Sequence, residues 1–225
     1  KDAINAAHEM GLLNLHISEE YGGPGLGIME EVIVNEELAW GDPGFATAAY
    51  ATSLACAPVI TGATHEQKDK YLRMVAEEGA LASYAVTEPG AGSDVAACKT
   101  SAVKDGDEYV INGSKMWITG AGYADWFFVL AKTDLDAGYN GMSGFIVESN
   151  TPGLTLGKKE NNMGQRCSDT RSISFDDMRI PAENLVGGSE SGGWMNAMKA
   201  FDMSRPNIAA HATGLARAAY EHALQ

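Results

Sequence analysis

The hydrophobic period of this chain changes near Leu81, and that change limits the folds open to it. Before Leu81 apolar residues recur at helical spacing. Residues 28–40 set Ile28, Val32, Leu38 and Ala39 near one stripe, with Glu30, Glu31, Asn35 and Glu37 mostly elsewhere, which predicts an amphipathic helix. Thr64-His65-Glu66-Gln67 predicts a capping box opening a helix that ends at Gly79 and buries Tyr71, Leu72 and Val75. After Leu81 short β-rich runs follow at 109–111, 115–119, 126–131, 144–148, 154–156 and 171–175, without helices between them. Asn112-Gly113 lies between the first two of these runs and predicts a type I′ hairpin turn. Beyond Pro181 the pattern is helical again, and Pro206 is expected to kink or break the last helix. The order α, β, α excludes a βαβ sheet. It predicts an α+β multidomain chain: an N-terminal helical domain at 1–82, a middle antiparallel β-barrel or sandwich at 83–188, and the first part of a C-terminal helical domain at 189–225.

Charge excludes some partners. With 16 Lys and Arg against 30 Asp and Glu, the formal net charge is −14 and there is no basic run. Nucleic acid and anionic membrane surfaces are therefore not expected to bind. Apolar runs such as 126–131 are far shorter than the ~20 residues of a membrane span, and the N-terminus has no secretory pattern, so a soluble, unexported protein is expected. Cys56, Cys98 and Cys167 are widely spaced and read as reduced thiols, with no His or Cys at metal-ligand spacing. The Gly- and Pro-rich turn at 21–27 lacks the Lys-Ser/Thr of a phosphate loop.

Three segments could carry chemistry. In the first, Tyr84-Ala85-Val86-Thr87-Glu88-Pro89-Gly90-Ala91-Gly92-Ser93-Asp94, a short strand enters a loop whose two glycines can adopt positive φ and bring bare N–H groups to a ligand. It lacks the third glycine of a dinucleotide fingerprint. The second, Lys115-Met116-Trp117-Ile118-Thr119-Gly120, sets an aromatic ring and a hydroxyl two residues apart, on one face of a strand. There they can cover and hydrogen-bond a planar ring, although a Trp on a strand is also an ordinary core residue. In the third, Phe201-Asp202-Met203-Ser204-Arg205-Pro206, the Asp202 and Arg205 side chains share a helix face. They either pair with each other or offer a positive fork to an anionic ligand.

In this order and at these separations, the three segments resemble the acyl-CoA dehydrogenases. Further matches run through Tyr21-Gly22-Gly23, Tyr109-Val110-Ile111-Asn112-Gly113, residues 164–170 and Val186-Gly187. In its motifs the likeness is closest to medium- and short-chain members, and it extends over essentially the whole sequence. It implies FAD as cofactor, held by Tyr84, Val86, Thr87, Gly92, Ser93, Trp117, Ile118 and Thr119. It also implies acyl-CoA as substrate, met by Ser93, Asp202 and Arg205, and α,β-dehydrogenation with electrons passed to an electron-transferring flavoprotein. A homotetramer in bacterial cytoplasm or mitochondrial matrix is the matching expectation. The family's catalytic Glu is expected beyond Gln225, so no base is assigned here, and Glu88 is read as structural. Two alternatives stay open: a noncatalytic fragment or binding module of the same fold, and an oxidase-like relative.

Overall fold

The computed structural model describes residues 2–225. Four helices open the chain: α1 (Asp2–Glu9), α2 (Ile28–Gly41), α3 (Pro43–Gly62) and α4 (His65–Glu78). Thr64 and Gln67 form the expected capping box, and Gly79 ends α4 at a φ of 68°. The buried side of α4 is Tyr71, Leu72 and Val75, as its pattern requires. α3 starts with the Asp42 carboxylate accepting from the Phe45 N–H, ahead of Pro43, whose fixed φ suits a first helical residue. By length and composition α3 is apolar enough to cross a membrane. Here it is the central helix, packed against α2, α4 and the sheet, with 67% of its most apolar window buried.

The middle of the chain forms one seven-stranded sheet: β1 (Ala82–Ala85), β2 (Ser101–Asp105), β3 (Glu108–Thr119), β4 (Trp126–Lys132), β5 (Met142–Glu148), β6 (Leu154–Leu156) and β7 (Thr170–Pro181). The path runs β1-β4-β2-β3-β7-β6, with β5 also pairing to β4. The sheet is mixed rather than purely antiparallel, because β4 runs parallel to β1 and, at Ser101 and Lys132, to β2. Strand β4 explains why both faces are apolar. Trp126, Phe128 and Leu130 enter a core shared with α3 and α4, while Phe127, Val129 and Ala131 enter a second core with Tyr109, Ile111, Phe145 and Ile173. At roughly 1.5–3 kcal/mol for each large side chain buried, β4 anchors both layers.

The hairpin expected at Asn112-Gly113 is not formed; β3 runs through both residues. The tight turn lies between β2 and β3, at Gly106 (φ 64°). Gly113 (φ 146°) marks an irregularity in the β3–β7 register, and a Cβ there would come within 2.6 Å of the Thr100 hydroxyl. Asn112 is occupied across the ladder, its amide donating to Asp177 Oδ1 (3.0 Å) and its carbonyl oxygen accepting from the Asp177 N–H (2.8 Å). The dipeptide answers to a bulge instead of a turn.

The last helix, α5 (Gly193–Ala223), continues through Pro206 rather than breaking there. Proline removes the hydrogen bond to the Asp202 carbonyl, and both residues are exposed, where water can take that acceptor. The buried side of α2 shares only Ala39 with the predicted stripe. Glu31 and Asn35 are buried with it, while Ile28 is exposed and Val32 and Leu38 are half-buried. The reason is α5, whose Asn207 donates to Glu31 (2.8 Å) and Tyr50 (3.0 Å) and accepts from Asn35 (2.9 Å). His211 bonds Asn35 (3.1 Å), and His16 bonds Glu31 (2.9 Å). The two helices approach so closely at Gly214 that a Cβ there would lie 2.2 Å from the Glu36 carbonyl oxygen.

Candidate functional site

Where β3 ends, a cavity of about 160 Å³ opens between the loop after β1 and helices α3 and α5. It is lined by Tyr84, Thr87, Trp117, Ile118 and Thr119, together with Ala51, Leu54 and Phe201. The first two motifs, separated by residues 95–114 of the chain, therefore share one wall, with α5 contributing Phe201 opposite.

Trp117 has an unusual backbone. Its φ is 61°, a left-handed conformation that costs an L-residue about 1–2 kcal/mol, at a shift in register between Lys115 and Ile118. The bulge turns the indole out of the sheet, and the residue is 55% exposed. Ile118 points inward and is buried. The Thr119 carbonyl accepts from the Ser83 hydroxyl (2.7 Å), and the next N–H, from Gly120 at φ 79°, donates to the Asp169 carbonyl (2.7 Å). Asp169 also accepts from the Gly122 N–H (2.8 Å) and from Arg171 (3.0 Å), so residues 164–170 brace this end of the strand.

Tyr84 forms a fixed wall. It stacks on Phe128 at 5.4 Å, meets Phe201 edge-on at 5.6 Å, and donates its hydroxyl to the Ala197 carbonyl (3.1 Å). Burial raises its phenol above the ordinary tyrosine range. Thr87 is held through its carbonyl, which accepts from the Met116 N–H (2.8 Å). The Thr87 and Thr119 side-chain hydroxyls border the cavity without a hydrogen-bond partner among the described residues, which leaves both free for a ligand.

Val86 lies in the core and offers the cavity no side chain. Gly92 and Ser93 are exposed on the loop, outside the cavity lining. Neither Gly90 nor Gly92 adopts positive φ, contrary to expectation; the loop turns instead through paired backbone hydrogen bonds between Glu88 and Ala91. A Cβ on either glycine would meet nothing within 4 Å, so the open space in front of the loop is available to a ligand. Asp202 and Arg205 are exposed and pair with each other one helical turn along α5. They stand beside Phe201 rather than in the cavity lining.

Beneath the site lies a charged pair that the sequence reading missed. Lys115 is fully buried and donates to Glu88 Oε1 (2.8 Å) and the Val86 carbonyl (3.1 Å). Glu88 also accepts from the Thr100 hydroxyl (2.6 Å), the Lys99 N–H (2.7 Å) and the Cys98 thiol (2.7 Å). Burial would raise the Glu88 pKa, but the Lys115 charge and these donors outweigh it and hold the pKa down at about 2. Such a carboxylate is a weak base, which agrees with its structural reading. A signal for Lys115 was present: the inward alternation of Tyr109 and Ile111 carries to position 115. Among the described residues no group of three or more His, Cys, Asp or Glu side chains is placed to hold a metal, and the three thiols are free.

The residues present fit a flat heterocycle: an exposed indole, two unpartnered hydroxyls, an aromatic wall and an open glycine loop. Comparison with known proteins identifies the family of the chain. Residues 1–79 match the acyl-CoA dehydrogenase N-terminal domain and residues 83–178 the acyl-CoA dehydrogenase middle domain. A probable medium-chain specific acyl-CoA dehydrogenase 2, mitochondrial, of Caenorhabditis briggsae is 52% identical over 95% of this chain and 53% of its own length. Butyryl-CoA dehydrogenase from Megasphaera elsdenii superposes with a TM-score of 0.95 at 39% identity, over 100% of this chain and 60% of that one. An acyl-CoA dehydrogenase of Bacillus anthracis, solved in complex with FAD, superposes at 0.87 with 36% identity, over 94% of this chain and 36% of that one. The chain belongs to the acyl-CoA dehydrogenase family. It spans about half the length of the curated relatives it matches.

Proposed function

We propose that this chain is the N-terminal and middle part of an FAD-dependent acyl-CoA dehydrogenase, which converts an acyl-CoA thioester to its trans-2-enoyl product and passes the electrons to an electron-transferring flavoprotein. The observation that carries this reading is the single cavity in which Trp117, Thr87 and Thr119 meet. When bound, FAD supplies the two-electron acceptor for dehydrogenation.

In this reading the Trp117 indole covers one side of the ring, and the Thr87 and Thr119 hydroxyls hydrogen-bond its polar edge. Tyr84, Leu54 and Phe201 are the apolar walls that exclude water, which strengthens every polar contact inside. Gly92 and Ser93 line the approach from the open loop, and Val86 contributes through its backbone. Arg205, already paired with Asp202, meets the acyl-CoA from α5. No carboxylate is assigned to removal of the α-proton; Glu88 is not suited to it, because it is buried, ion-paired and held at a pKa of about 2. A homotetramer in bacterial cytoplasm or mitochondrial matrix is part of the same proposal.

The test is anaerobic addition of a medium-chain acyl-CoA to the full-length protein loaded with FAD. Bleaching of the flavin absorbance is expected. A flavin that binds normally and remains oxidised with every acyl chain length tried would overturn the proposal.

A further inference from the structure

We infer that Lys115 is a positioning residue for the cofactor face: its buried ammonium, paired with Glu88, ties the loop that carries Thr87 to the strand that carries Trp117 and Thr119. The inference rests on reading the cavity as a flavin site. Three chain segments converge on this pair. Lys115 Nζ reaches the Val86 carbonyl and Glu88 at the loop, and lies 3.4 Å from Cys98 Sγ. Glu88 in turn gathers the Lys99 N–H, the Thr100 N–H (3.0 Å) and the Thr100 hydroxyl. No atom of the Lys115 side chain reaches solvent.

The residue after Lys115 donates its N–H to the Thr87 carbonyl, and the residue after that is Trp117 in its left-handed conformation. Backbone strain of this kind persists only where the surroundings over-determine it. The clamp supplies that constraint on one side, as Asp169 does on the other through Gly120. Stability alone does not account for a charged pair here. Apolar side chains of similar volume commonly replace buried ion pairs at no loss of stability, whereas a pair that sets position cannot be replaced in that way. The pair holds the spacing between the Thr87 and Thr119 hydroxyls, two groups it does not itself touch.

The test is the double variant Lys115→Met/Glu88→Gln in the full-length protein, which removes both charges and leaves neither unpaired. Its thermal midpoint, its FAD dissociation constant and the exchange rate of the Met116 amide are measured together. The expected result is a folded protein that binds FAD at least tenfold more weakly, with faster Met116 exchange and a shifted flavin band. Wild-type affinity, band position and exchange in the folded double variant would overturn the inference. Should the wild-type protein leave the FAD spectrum unchanged, the flavin reading fails, and unchanged Met116 exchange in the variant would separately refute the clamp. Should the double variant not fold, Thr100→Val decides in its place. It keeps both charges and deletes one bond to Glu88, and a roughly threefold loss of FAD affinity with faster Met116 exchange is expected; no change in either would overturn the inference.

Discussion

Asn207 is fully buried on α5, and its side chain holds Glu31, Asn35 and Tyr50 from two other helices. Replacing it with Leu nearly conserves volume and deletes all three bonds. The lost bond to the Glu31 carboxylate costs about 2 kcal/mol and the two neutral partners about 1 kcal/mol each. Added apolar burial returns about 1 kcal/mol, leaving a net destabilisation of about 3 kcal/mol. For a chain of this size that lowers the thermal midpoint by roughly 6–12 °C. Urea unfolding followed by circular dichroism measures the loss. Combining Asn207→Leu with Glu31→Gln then isolates the coupling, expected to exceed about 1 kcal/mol because the two groups touch. A loss under about 1 kcal/mol, or strict additivity of the two changes, would refute the claim that this network fastens α5 to the N-terminal helices.

Three further outcomes are expected. Trp117→Gly relieves the left-handed backbone at an exposed position, so unfolding should show stability unchanged or higher by about 1 kcal/mol while FAD affinity falls. Glu88 has a folded pKa of about 2 against an ordinary 4.5. Its contribution to stability is complete above about pH 4.5 and is lost as pH falls toward 2, and an acid titration of Glu88→Gln should lack that part of the decline. Thr64→Ala removes the acceptor for the Gln67 N–H at the start of α4 and should cost about 1 kcal/mol in urea unfolding; no loss would show that the cap is redundant.

Elements specified by local chemistry were legible in the sequence. The Thr64 capping box, the Gly79 stop and the β4 and β5 runs each depend on neighbours within a few residues. Misreadings arose where a distant segment decided the outcome. Glu31 and Asn35 look like solvent-facing residues until Asn207 and His211, more than 170 residues away, supply their partners. Asn112-Gly113 looks like a turn until Thr100 and Asp177 claim its two residues. In the candidate site, strand spacing and family likeness together single out Trp117 and Thr119, which line one cavity. The bulge that turns Trp117 outward was not legible, since it depends on the register of β7. Ala51 and Leu54 carried no signal, because only the packing of α3 against the sheet makes them walls.

The most direct measurement of the central claim is the visible absorption spectrum of FAD titrated with the full-length protein and with its Thr119→Val variant. The wild-type protein is expected to shift the flavin bands at saturation. The variant, equally folded by circular dichroism, should shift them less and bind FAD more weakly, because one free hydroxyl at the cavity is gone. Identical spectra and affinities for the two proteins would contradict the assignment of this cavity to the flavin ring.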